Sequence, residues 1–211
     1  DDCSIIKYNL TDQRFIKRKF SGFRNKCFYD MIFTSDNKII LCGGSTGISK
    51  AQKKLPRGFI GVTNFDLDQP RIVWKSYRKF VWSIKETTNN ELLAATFNGV
   101  NTKILRSTKD LKWSKYKKIK GLVHEINLIN NQTVYCGTGG IHFNKDGFIQ
   151  IENEKKQVFT NEGCFWSMEN VNQLPYLVTQ KGKIVIVQQG GTFQRYKLPT
   201  HFPIYDLEQV S

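Results

Sequence analysis

An all-β, five-bladed propeller is the fold that this sequence predicts, and three observations carry it. An aromatic residue or histidine followed two positions later by an apolar residue recurs at Tyr29/Met31, Trp82/Ile84, His124/Ile126, Trp166/Met168 and Tyr205/Leu207. Between these points Asn- and Asp-rich turns and glycines separate short apolar runs, and no segment keeps a helical period. A self-similar unit of about 40 residues points to a repeat architecture, and four short antiparallel strands per unit are the signature of a propeller blade.

The elements follow in order within each unit. The first strand carries the recurrent aromatic. A polar turn comes next: Ser35-Asp36-Asn37, Thr88-Asn89-Asn90, Asn130-Asn131-Gln132, and a Pro-containing version over 172–175. Asn and Asp tolerate the left-handed backbone that tight hairpins require, so these read as hairpin turns. Second strands are expected over 39–42, 92–95, 133–136 and 176–178. Gly43-Gly44, Gly99, Gly137 and Gly182 mark the reversals into third strands, "GFIGVTNF", "TKILRST", "GIHFNK" and "GKIVIVQ". Fourth strands are "RIVWKSY", "WSKYKKI", "FIQIENE" and "TFQRYKL".

The two ends complete the pattern. Residues 4–20 read as third and fourth strands without a first or second, and 203–211 read as a first strand without a continuation. Paired in one shared blade, with the second strand missing or very short, they would close the ring and remove an open sheet edge. A longer parent chain that continues beyond Ser211 is the competing explanation. No Pro-, Gly- or Ser-rich linker divides the chain, so 1–211 is expected to be a single domain.

Composition narrows the partners. With 32 Lys and Arg against 18 Asp and Glu, the net charge of +14 favours an anionic partner. An acidic protein surface comes first and acidic glycan second; nucleic acid carries no motif here. A basic surface of a chain rich in Lys, Asn and Ile is the plain alternative. No apolar run reaches the ~18 residues needed for a membrane span, and "DDCSIIKYNL" lacks the parts of a signal peptide. The chain starts at Asp, which leaves open a leader removed earlier. The cysteines, at 3, 27, 42, 136 and 164, are odd in number and lack zinc spacing, so no structural metal and no cofactor are expected. Cys42 and Cys136 read as small buried hydrophobes, with a disulfide from Cys3 left open.

The stretch "VWSIKETTNNELLAATFNGVNTKILRSTKDLKW" resembles the repeat of the Asp-box propellers, the group that includes sialidase-type (BNR) and photosystem II assembly-factor repeats. Their blades end in Ser/Thr-x-Asp-x-Gly-x-x-Trp. Ser107, Asp110 and Trp113 match it with the glycine absent and the spacing one residue short, and echoes occur at Asn144-Lys145-Asp146-Gly147 and Thr11-Asp12. The box has decayed at "NFDLDQP" and "VQQGGTF". The resemblance spans nearly the whole chain. It implies a propeller whose box lies at the turn between third and fourth strands, a structural role for Asp110 and Trp113, and an assembly or scaffold function in an extracytoplasmic or secreted setting.

Candidate sites are few. A glycosidase on this fold needs converging carboxylates. Asp30, Glu125 and Asp206, with Glu169 and Glu208 nearby, are the ones on offer. In the repeat they alternate with Ser83 and Ser167, so a polar ring around a channel explains them without a substrate. Tyr29, Trp82, His124, Trp166 and Tyr205 would stack on a sugar under a lectin reading, or fill the wedge between neighbouring blades. The wedge is the expectation. The glycines in "CGGSTG" and "CGTGG" open no helix and read as strand turns. The one long excursion, "STGISKAQKKLPRGF", carries Lys50, Lys53, Lys54 and Arg57, and extra loops tend to carry function. These four residues are the expected partner contact of a non-enzymatic binding module.

Overall fold

The computed structural model describes residues 4–19, 27–44, 57–108, 110–139, 146–188 and 192–198. Strands β1 (Ser4–Asn9) and β2 (Arg14–Lys19) pair as a hairpin. Four sheets follow, each of four antiparallel strands in chain order. The first contains β3 (Cys27–Phe33), β4 (Lys38–Gly44), β5 (Gly58–Asn64) and β6 (Arg71–Ser76). The second contains β7 (Phe80–Glu86), β8 (Leu92–Phe97), β9 (Asn101–Ser107) and β10 (Trp113–Lys120). The third contains β11 (Leu122–Ile129), β12 (Gln132–Thr138), β13 (Gly147–Ile151) and β14 (Gln157–Phe159). The fourth contains β15 (Phe165–Val171), β16 (Leu174–Thr179), β17 (Lys183–Val187) and β18 (Phe193–Lys197). The described residues are all-β.

Burial explains why the second strands read as apolar runs. In β8 every residue is buried, because each face of its sheet meets a neighbour. Leu92 and Ala94 pack with Ile40, Cys42 and Ile60 of the first sheet. Leu93 and Ala95 pack with Val123, Ile126, Tyr135 and Phe148 of the third. The next seam joins Val134, Cys136 and Ile149 to Met168, Leu177 and Val185. A strand sandwiched on both faces loses the in-out alternation of a half-exposed one. Cys42 and Cys136 are fully buried free thiols in these seams. The fourth strands are the exposed edge: every residue of β18 is exposed.

The turns follow their residues. Asn130 and Asn131 both take positive φ between β11 and β12, and Asn172 and Gln173 do so between β15 and β16, the pattern of a type I′ hairpin. Pro175, expected in that turn, lies inside β16 opposite Asn170. The Asp110 turn joins third and fourth strands of the second sheet. Asp110 accepts from the Lys112 amide at 3.3 Å and from the Thr108 hydroxyl at 2.5 Å, and the half-buried Trp113 packs against the core of the first two sheets.

Two expectations need correction. "FIQIENE" contains the third strand of its sheet, not the fourth, because Ile149 lies opposite Cys136 on the second strand. The fourth is the short β14, and "GIHFNK" lies outside the described residues. The Asp146 echo of the box therefore precedes a third strand. Gly43-Gly44 and Gly137 do not mark reversals either: they lie inside β4 and β12, where a Cβ on Gly43 or Gly137 would sit 2.0 Å from the Cys27 or Leu122 carbonyl oxygen. Close backbone approach is what requires glycine there.

Chain direction sorts the connections onto two rims. The turns between first and second and between third and fourth strands share one rim. The loops from second to third strands and the links between sheets occupy the opposite one. Residues 203–211, expected to complete a fifth blade with β1 and β2, lie outside the described residues.

Candidate functional site

The recurrent aromatic is held the same way four times. Each first strand has one extra residue relative to its partner, between Phe28 and Asp30, Val81 and Ser83, Val123 and Glu125, and Phe165 and Ser167. The residue in the bulge is the aromatic itself, and a bulge re-aims a side chain and increases local twist. Tyr29 stacks on Trp82 at 4.8 Å, Trp82 meets His124 edge-on at 5.4 Å, and His124 meets Trp166 at 4.5 Å. Four rings from four successive sheets thus form a continuous arc. Tyr205, assigned to the same ring, lies outside the described residues.

Next to three of the rings sits a polar side chain that reaches into the following sheet. Asp30 accepts from the Ile84 amide at 2.8 Å, Ser83 from Ile126 at 3.2 Å, and Glu125 from Met168 at 2.6 Å. The three acceptors occupy one repeat position and the three donors another, two residues after each aromatic. Asp30 also accepts from its neighbour Met31 at 2.7 Å. A bulge leaves a backbone N–H without a ladder partner, and a carboxylate or hydroxyl from the previous sheet satisfies it.

These groups surround a cavity of about 380 Å3, lined by the four rings with Asp30, Ser83, Lys85, Glu125 and Ser167 among others. Burial raises the Glu125 carboxyl to about 7 against its amide and hydroxyl hydrogen bonds, with the nearby Asp30 adding to the rise. Burial likewise raises Asp30, opposed by the Ile84, Met31 and Ser83 hydrogen bonds. Lys85 lowers both by its charge. His124, 4 % exposed, is driven down to about 3 by burial alone and is neutral. The buried Tyr29 hydroxyl is raised to about 12, chiefly by burial.

Asp30 and Glu125 therefore do face one cavity, together with Lys85, which sequence reasoning passed over. Ile32, Asn127 and Glu169 occupy the corresponding position in the other sheets, so no repeat pattern singles Lys85 out. Asp206 and Glu208 lie outside the described residues, as do Lys50, Lys53 and Lys54. Arg57 is described and half-buried, its amide donating to the Ser76 carbonyl at 2.7 Å. Among the described residues no three His, Cys, Asp or Glu side chains gather as a metal site would need, and no helix is long and apolar enough to cross a membrane.

No protein-family model matches the sequence, and no curated protein matches it. Solved structures do. A virginiamycin B lyase from Staphylococcus aureus, solved with quinupristin, superposes with a TM-score of 0.67 at 16% identity, over 94% of this chain and 64% of that one. The chain thus spans somewhat less than two thirds of the lyase. The Dos1 propeller superposes at 0.64 and 9% identity, over 93% of this chain and 54% of that one. A chain of a nidogen/laminin complex superposes at 0.56 and 12% identity, over 97% and 94%. Identities this low speak for fold alone, and the fold is that of a repeat β-propeller.

Proposed function

We propose that this chain is a non-enzymatic binding or assembly module that holds an anionic macromolecule, in the first place an acidic protein surface. The observation that carries the reading is the occupation of the cavity carboxylates. Asp30 and Glu125 each accept a backbone amide of the next sheet, so the clasp that joins the sheets accounts for both carboxylates without a substrate. An acid/base pair needs free access to the bond it cleaves, at a spacing that admits substrate. The +14 charge supplies the attraction, and Lys50, Lys53, Lys54 and Arg57 remain the loop we assign to the contact. Complexes among propellers of this shape are compatible with it, as in the nidogen/laminin structure. A lectin-like use of the rings has less support, because Tyr29 and Trp82 already stack on one another.

The same reading includes a five-bladed ring closed by 203–211. Its support is the β1–β2 hairpin, a two-stranded sheet among four of four strands, to whose free edge a strand from 203–211 would add. Kinship with Asp-box propellers rests on the turn geometry of Asp110 and the packing of Trp113.

Affinity capture with the whole chain, eluted by salt steps and assayed for protein and polysaccharide, tests the function. A stoichiometric protein released at moderate salt is expected. Polysaccharide recovered without protein would replace this reading with the lectin one.

A further inference from the structure

The second sheet carries a cluster of lysines on the side that faces the first sheet, toward its outer edge. Leu105 of β9 packs into the core shared with the first sheet, and Lys103, two residues before it, lies on the same side of the strand. Across the β9–β10 ladder, Lys115 stands opposite Leu105, Lys118 opposite Lys103, and Lys120 opposite Asn101. The shift between Lys115 and Lys117 in β10 is what brings the odd-numbered Lys115 and the even-numbered Lys118 and Lys120 to one side. Lys79, in the link from the first sheet, joins them: burial and the charges of Lys103 and Lys115 both lower its pKa.

Like charges directly opposite one another on a ladder destabilise it, so the Lys103/Lys118 pair works against the fold. None of the five lysines forms an ion pair with a carboxylate among the described residues. The ion-paired carboxylates of the first three sheets hold other cations, at the rim of the hairpin turns. Asp36 holds Lys38 at 2.5 Å, Asp110 holds Lys112 at 3.3 Å, Glu91 approaches Arg106 at 3.8 Å, and Glu152 holds Lys117 at 2.7 Å. A second copy of this chain would bring another +14, which opposes self-association through this patch. Two exposed apolar groups neighbour these lysines along the chain. Tyr77 is 53% exposed two residues before Lys79, and Val100 is 61% exposed beside Gly121, whose amide donates to the Val100 carbonyl at 3.3 Å.

We propose that this seam between the outer strands of the first two sheets is the docking surface for an acidic protein segment, with carboxylates on Lys79, Lys103, Lys118 and Lys120 and apolar side chains against Tyr77 and Val100. The mixture of charge with exposed apolar groups favours a peptide over a uniformly charged polymer. The proposal rests on the anionic-partner reading and adds a second contact to the one assigned to the 45–59 excursion.

The test titrates the whole chain, at two salt concentrations, with a fluorescent peptide alternating Glu with Tyr and Leu, beside polyglutamate, heparin and a single-stranded oligonucleotide. The triple variant Lys103→Gln/Lys118→Gln/Lys120→Gln is compared with Arg14→Gln/Lys17→Gln/Arg18→Gln, which removes equal charge from β2. The seam variant is expected to weaken the mixed peptide about tenfold or more and to flatten its salt dependence, while the β2 variant changes it less than about twofold. Tyr77→Ala should weaken the mixed peptide several-fold and leave polyglutamate unchanged. Equal losses in the two triple variants would overturn the site and leave the anionic-partner reading standing. Tighter seam-dependent binding of heparin or the oligonucleotide would overturn the choice of a protein partner. Failure of every anionic probe to bind the unmodified chain would overturn the anionic-partner reading itself.

Discussion

Around the axis, Asp30, Ser83 and Glu125 each accept the backbone amide of the next sheet; at the outer seam, Lys79, Lys103 and Lys118 crowd one another without a carboxylate in the described chain. Both sets lie at sheet boundaries. The inner set satisfies donors that would otherwise be buried and unbonded, so the fold itself explains it. The outer set costs the fold something and is explained by nothing within it. A charged group that satisfies no internal need is the better guide to an external partner.

Four experiments would break or sharpen that contrast. The largest effect is expected where the inner sheet edge is tightest. Gly137→Ala places a methyl 2.0 Å from the Leu122 carbonyl oxygen, and a backbone shift there should destabilise the protein by about 3 kcal/mol or more, read as lost soluble expression or a lowered urea midpoint. Next come the clasps. Asp30→Ala strands the Ile84 amide and should cost about 1–3 kcal/mol, whereas Asp30→Asn, which keeps an acceptor, should cost less. Equal losses from the two would mean that the clasp is not what Asp30 contributes.

The third is a dependence on pH. Between its ordinary value of 4.5 and about 7, Glu125 holds a proton in the folded chain that the unfolded chain has released. Stability from this residue is therefore greatest below that window and declines as pH rises through it. Asp30, also raised, acts in the same sense. His124 acts oppositely: below 6.5 the unfolded chain takes up a proton that the folded one refuses until about 3, so its contribution is lost as pH falls. Urea midpoints of the unmodified chain minus those of Glu125→Gln should fall between pH 4.5 and 7, and a flat difference would remove Glu125 from the account. The smallest effect belongs to the outer seam. Lys118→Gln relieves the repulsion with Lys103 and should stabilise by about 0.2–0.5 kcal/mol, with a loss of stability showing that Lys118 has a structural partner after all.

The repeat was legible because its grammar is local. The aromatic, the Asn turns and the apolar second strands declare themselves in short windows, and they place three of the four sheets strand by strand. The third sheet was misread because β14 has only three residues, too few for a period to show. The candidate site was legible only in part. The alternation of Asp30, Ser83 and Glu125 announced a ring, yet nothing in the sequence says that each reaches an amide 43 or 54 residues ahead. Lys85 has no repeat equivalent. Lys79 meets Lys103 and Lys115 only because a link between sheets turns back toward the outer strands and a bulge changes which lysines of β10 share a side.

By itself, then, the sequence determined the class of fold, the positions of most strands and turns, and the excess of positive charge, since strand periodicity, turn chemistry and net charge are sums over neighbours in the chain. Tertiary structure decided which charges are neutralised, which carboxylates are occupied and which lysines stand together. Those outcomes depend on strand register and on the contact of one sheet with the next, and a single residue of bulge reverses them.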